Sequence, residues 1–183
     1  MPTTPLAWIA QILNIVAMLL SVASMQCRRL KLFYTLQFIS CLLCSASFLL
    51  KGDMAIAGAL FNAFGLLRSG VLLGGDKLHK TPVLAGLLGV LCGCSVISYI
   101  FEGPRALLPF LARTTGTIGM WTRHNGKIRI LQFCIVSPLW LTYDVMTGML
   151  GSILGEIFNM ISIIVFVCRF GFKELLRPQP KTN

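Results

Sequence analysis

The chain has 183 residues, 56% of them hydrophobic and only 12% charged, and carries a formal net charge of +10. At this length an ordinary soluble domain does not fit beside membrane-spanning segments, and cations scattered over loops without a basic aromatic patch exclude a nucleic-acid partner. A bilayer crossing needs about 20 mainly apolar residues, which predicts seven spans near 6–25, 32–50, 54–73, 82–101, 104–121, 128–146 and 149–171 and makes the lipid bilayer the first expected partner.

The first span opens with no Lys or Arg between Met1 and Trp8 and no small-residue cleavage site after it, so a cleaved signal peptide is not expected. Gln11 and Asn14 stand three residues apart and point together, toward either a pocket or a neighbouring helix. Arg28, Arg29 and Lys31 follow. The second span holds Cys41 and Cys44, whose CxxC spacing would serve metal or redox chemistry only as accessible thiolates. Together with Cys27, Cys92, Cys94, Cys134 and Cys168 they read as small packing residues rather than a disulfide framework, and no cofactor is expected.

Lys51 and Asp53 lead into the third span, which carries Asn62 and, toward its far end, an Arg68 expected to snorkel to the nearer membrane face. Lys77 and Lys80 come next. The fourth span holds no Asp, Glu, Lys, Arg or His and ends at Glu102 and Arg105. The fifth is the least apolar, with Pro109, Arg113 and the run Thr114, Thr115, Gly116 and Thr117, and a six-span reading would omit it. Arg123, Lys127 and Arg129 follow, with His124, Asn125 and Gly126 reading as turn chemistry.

The sixth span contains Pro138 and Trp140, and Pro109 and Pro138 are candidates for bends in the fifth and sixth. Trp140 reads either as a ring that stacks on a solute or as an interfacial anchor, the role also expected of Trp8, Tyr34, Tyr99, Trp121 and Tyr143. Asp144 stands alone before the seventh span, where Gly151 and Gly155 form a GxxxG suited to packing within the bundle or to a homo-oligomer. Glu156 and Asn159 share one face a turn apart. Residues 172–183, with Lys173, Arg177 and Lys181, form a charged, Pro-containing tail.

Lys and Arg thus crowd every second loop. By the positive-inside rule those loops are cytoplasmic, and seven spans then place the N-terminus outside and the C-terminus inside. A shift of 95 residues lays Ser21–Phe38 on Gly116–Phe133, with Met25 on Met120, Arg28 on Arg123 and Leu36-Gln37-Phe38 on Leu131-Gln132-Phe133. One or two extra residues in the second copy then bring Gly52 to Gly148, Gly58 to Gly155 and Phe61-Asn62 to Phe158-Asn159. The expected organisation is a first three-helix repeat at 6–73, a linker helix at 82–101 and a second repeat at 104–171. A three-helix unit ends on the face opposite its start, so two units of the same orientation need one extra crossing between them. The fold class is therefore all-α, with seven transmembrane helices as two parallel repeats in a 3+1+3 arrangement.

That arrangement at this length resembles the SWEET and PQ-loop superfamily of small transporters. The whole chain is most similar to the YgjV family of bacterial inner-membrane proteins, through Ala10-Gln11, Phe48-Leu49-Leu50 followed by Asn62-Ala63, the Leu107-Leu108-Pro109 entry to the fifth span, and Trp140 ahead of Gly148, over about residues 8–170. At the positions compared, the Pro-Gln pair that gives the PQ-loop proteins their name does not occur: Gln11 follows Ala10, and Pro109 is followed by Phe110. In SWEET-like transporters two Asn on the third and seventh spans contribute to the substrate pocket, and Asn62 and Asn159 match them by position.

Polar groups in lipid need partners or an aqueous cavity. At about 1.5 Å per residue, Asn62, Arg113, Glu156 and Asn159 fall roughly 10–15 Å below their outer ends, in one layer where parallel-repeat transporters bind solute. The two Asn suit either a neutral polar solute or interhelical bonding. Glu156 is expected to pair with Arg113, or otherwise to hold a proton or cation. No set of residues assembles a nucleophile, metal site or phosphate loop, so an enzyme is not expected. The expected function is facilitative transport of a small polar solute by alternating access, and the alternative is a non-transporting scaffold or sensor of the same fold.

Overall fold

Helices begin and end where the sequence supplies punctuation. The computed structural model describes residues 5–51, 56–147 and 150–171. Within them lie α1 (Pro5–Gln26), α2 (Leu30–Lys51), α3 (Ile56–Leu73), α4 (Thr81–Glu102), α5 (Leu107–Trp121), α6 (Asn125–Leu131), α7 (Ser137–Thr147) and α8 (Leu150–Phe170), and no strand. Gly52, Asp53, Gly148 and the tail 172–183 lie outside the described residues. Pro82 sits in the first turn of α4, where its missing N–H costs no hydrogen bond. Gly103 ends that helix at φ 68°, a conformation natural to glycine, and a short 3-10 turn, Gly103–Ala106, leads into α5. A π-turn, Gln132–Val136, joins α6 to α7. Pro138 cannot return a hydrogen bond to the Cys134 carbonyl, and the wider turn just ahead of it accommodates that loss.

Among the described residues six helical stretches, not seven, are long and apolar enough to cross a membrane, because Thr81–Trp121 runs as one stretch of 41 residues. Straight, it would measure about 60 Å, twice the roughly 30 Å hydrocarbon core. Its two ends instead meet. The His79 ring stacks on Trp121 with centroids 4.5 Å apart and bonds the Trp121 carbonyl at 2.8 Å, and Arg123 forms an ion pair with Asp76. The stretch therefore turns back on itself, with its break at Gly103.

The remaining helices close a ring. α1 packs on α2, α2 on α3, α3 on α5, α5 on the α6–α7 helix, α7 on α8, and α8 returns to α1. Hydroxyls stitch the seams, as expected where polar groups have no water to turn to. Ser40 and Ser47 donate to the Ala17 and Ala10 carbonyls at 2.7 and 2.8 Å, and Ser162 donates to the Val22 carbonyl at 3.1 Å. α4 contacts α3 and α5 from outside, burying the stripe of Leu87, Leu91, Ser95 and Ser98 while Val96 and Ile100 face outward.

At one end the ring is clasped twice. Tyr34 donates its hydroxyl to the Met120 carbonyl at 3.1 Å, and Arg129 reaches the Met25 carbonyl through Nε at 3.1 Å and Nη2 at 2.8 Å. A shift of 95 residues carries Tyr34 to Arg129 and Met25 to Met120, so each bond is the counterpart of the other. These contacts revise two expectations. Arg129, expected among the solvated loop cations, is 1% exposed, because the last carbonyls of α1 and the face of Phe166, 3.8 Å from its guanidinium carbon, replace its water. Tyr34 and Tyr143, expected in the interfacial belt with Trp8 and Tyr99, are buried, each with its hydroxyl bonded.

The glycines on these seams admit neighbours from within the chain. In the GxxxG of α8, an added Cβ at Gly155 would lie 3.2 Å from Met18 of α1, which assigns that motif to packing inside the ring. At Gly65 it would lie 2.8 Å from the Cys41 sulfur and 3.2 Å from Arg113 Nη1. Gly65→Ala is expected to cost about 1–3 kcal/mol by overpacking the α2–α3–α5 seam, visible as a lowered midpoint in thermal unfolding of the detergent-purified protein. Unchanged melting would show that the seam yields.

Candidate functional site

The ring encloses a cavity of about 120 Å³, large enough for several waters or a small solute. α3 and α5 supply one wall. There Asn62, 7% exposed, donates through Nδ2 to the Gly58 carbonyl at 2.8 Å and accepts Nη2 of Arg113 at 2.8 Å. Arg113 also lies over Trp140, with its guanidinium carbon 5.0 Å from the ring centroid, and Trp140 meets Tyr143 edge-on. Trp140 is 8% exposed and lines the cavity, so the interfacial position is set aside for it.

The α8 wall carries Glu156 and Asn159. Ser137 and Asn159 flank the Glu156 carboxylate, whose Oε2 is buried without a partner. Asn159 Oδ1 accepts Ser21 Oγ at 3.4 Å, and Gln37 extends the chain to Ser24 at 2.8 Å. Asn62 and Asn159 thus line the same cavity and continue in different networks. The expected Arg113–Glu156 ion pair does not form, because Asn62 and Trp140 hold the guanidinium on the other wall. Arg123 and Asp76 do form an ion pair, outside this cavity.

Gln11 and Asn14 separate. Asn14 lines the cavity opposite Gly151, whereas Gln11 is exposed and is not part of the lining. Four further residues belong here that sequence reasoning placed elsewhere or passed over. Arg68 does not snorkel: it is 2% exposed and turns into the cavity beside Gly116, whose missing side chain leaves room for it. Asp144, assigned to an outer loop, is 3% exposed and lines the cavity. Gln37 and Gln132 both face it, and their coincidence under the 95-residue shift was the available signal.

A closed helical ring with an apolar exterior and a polar, charged centre defines a polytopic α-helical membrane protein. Its sequence makes the assignment specific. The chain belongs to the Imp-YgjV family of bacterial inner membrane proteins, whose family profile matches residues 8–174. No curated protein and no solved structure matches it.

Proposed function

We propose that this inner-membrane protein is a facilitative carrier of a small polar solute, built on the 3+1+3 plan of the SWEET and PQ-loop superfamily. The observation that carries the reading is the central cavity lined by Asn62 and Asn159 at corresponding places of two three-helix units. The meeting of His79 with Trp121 supports two crossings within Thr81–Trp121, hence seven in all. The reciprocal Tyr34 and Arg129 bonds support a pseudo-twofold relation between the units. With seven crossings the charge pattern places the N-terminus outside and the C-terminus in the cytoplasm. Solute would bind in the Asn layer, and the two units would rock to open it to either face in turn.

The scaffold reading draws support from the pairing of Asn62 with Arg113 and of Asn159 with Glu156. It requires those groups to satisfy one another completely. The unpartnered Glu156 Oε2 and the cavity favour the carrier.

The test is uptake by proteoliposomes of a panel of labelled polar solutes, with Asn62→Ser/Asn159→Ser alongside. The double variant is expected to remain folded and to lose at least about tenfold in transport of any solute the native protein carries, since two lost neutral hydrogen bonds are worth about 1–3 kcal/mol. Equal uptake by both proteins would remove the Asn pair from the pocket. No uptake of any solute by the native protein would favour the scaffold.

A further inference from the structure

The two cavity arginines differ in one respect. The Nε of each is buried without a partner, but Arg113 is engaged through Asn62 and Trp140, whereas Arg68 makes no hydrogen bond or ion pair with any described residue. Both guanidinium groups are seated in the α3–α5 seam, each against a glycine of the opposite helix. An added Cβ would stand 3.2 Å from Arg113 Nη1 at Gly65 and 3.4 Å from Arg68 Nη1 at Gly116. Arginine keeps its proton in proteins, so two cations share this wall without an ion-pair partner, and Arg68 lacks even a hydrogen-bond acceptor. Such a group is costly to bury alone. Its planar fork matches an oxyanion with two parallel acceptors.

We propose that Arg68 is the anchor for the carboxylate of a small solute, whose remaining polar groups lie in the layer of Asn62 and Asn159. Glu156 and Asp144 on the other walls disfavour a second negative charge, so the solute carries one carboxylate and not a phosphate dianion. Both arginines line the cavity, and the glycine facing each guanidinium leaves room beside its Nη1. The inference deepens the carrier reading and rests on it for the solute's role as cargo, though the recognition chemistry stands on Arg68 alone.

The experiment uses the full chain in neutral detergent and follows thermal unfolding with millimolar acetate, lactate, glycine and alanine, with the corresponding amides, and with inorganic phosphate and chloride. At least one carboxylate is expected to raise the melting temperature by mass action, while its amide, phosphate and chloride do not. In Arg68→Met that shift is lost, and the ligand-free variant melts at or above the native protein, because an uncompensated charge has been removed. Arg68→Lys keeps charge without the fork and is expected to retain only part of the shift.

Three results would overturn the proposal: Arg68→Met melting well below the native protein, which would make Arg68 structural; equal shifts from acid and amide, or from phosphate; or no carboxylate shift at all. Proteoliposome flux separates this proposal from the carrier reading. Arg68-dependent carboxylate binding without flux keeps the site and removes the carrier. Flux of a neutral solute unaffected by Arg68→Met keeps the carrier and removes the site.

Discussion

Arg129→Met is expected to lower the unfolding free energy by about 3–5 kcal/mol, the scale on which breaking a buried charged network destabilises. Its guanidinium bonds the carbonyls of Met25, at 2.8 and 3.1 Å, and of Cys27, at 2.7 Å, and both the carbonyl and side-chain oxygens of Asn125. Met25 and Cys27 stand at the C-terminal end of α1, where helix carbonyls lack partners and a cation is favoured. Asn125 in turn donates to the Arg28 carbonyl at 2.7 Å, so one side chain ties the start of α6 to the α1–α2 turn. Lysine cannot form the fork, and Arg129→Lys is expected to recover less than half of the loss. Tyr34→Phe, which removes the single counterpart bond, should cost only about 1 kcal/mol. Chemical unfolding of the purified protein measures all three. An Arg129→Met variant as stable as the native chain would show that the clasp contributes nothing.

At the opposite end of the bundle, Glu102→Ala should cost about 2–3 kcal/mol. The carboxylate accepts the Ala57 backbone N–H at 2.9 Å and the Tyr143 hydroxyl at 2.7 Å. It therefore caps the first turn of α3, where an anion is favoured, and fastens α4 to α3 and α7 at once. Glutamine preserves one acceptor oxygen, so Glu102→Gln should fall between. Hydrogen exchange gives the sharper reading: the amides in the first turn of α3 are expected to exchange faster in Glu102→Ala, while those at the Tyr34 and Arg129 end keep their protection. Uniform acceleration throughout would mean that Glu102 serves global stability and not this junction.

Much of the bundle was legible because lipid imposes simple rules on the chain. Helix boundaries followed apolar length, and the loop charges anticipated that residues near 77–80 and 123 lie together, as His79, Trp121, Asp76 and Arg123 do. The site was legible by depth but not by azimuth. Counting residues placed Arg113 and Glu156 in one layer, whereas the pairing depends on which wall each occupies, and Asn62 lies closer to Arg113 in that sense. Gln11 and Asn14 show the same limit, since an i, i+3 pair spans enough of a helix for one member to face the cavity and the other to face away. Arg68 and Arg129 were misplaced for a different reason. A cation near a helix end looks topogenic in sequence, and only the opposing glycine or the exposed carbonyls reveal that it points inward.

The π-turn at Gln132–Val136 bears on the two-copy reading of the chain. On the two-copy reading the offset between the halves is 95 residues as far as Phe133 and 96 by Gly148, so one residue was inserted close to where the helix widens. A wide turn absorbs an insertion without rotating everything beyond it by a further 100° or so. The residues after it kept their aim: at the new offset Cys44 corresponds to Trp140 and Phe48 to Asp144, and all four line the cavity. Their chemistry did not stay matched, because a thiol and a phenyl ring on one side answer an indole and a carboxylate on the other. On that reading the two sides of the chamber correspond in position and differ in chemistry, so its interior is handed.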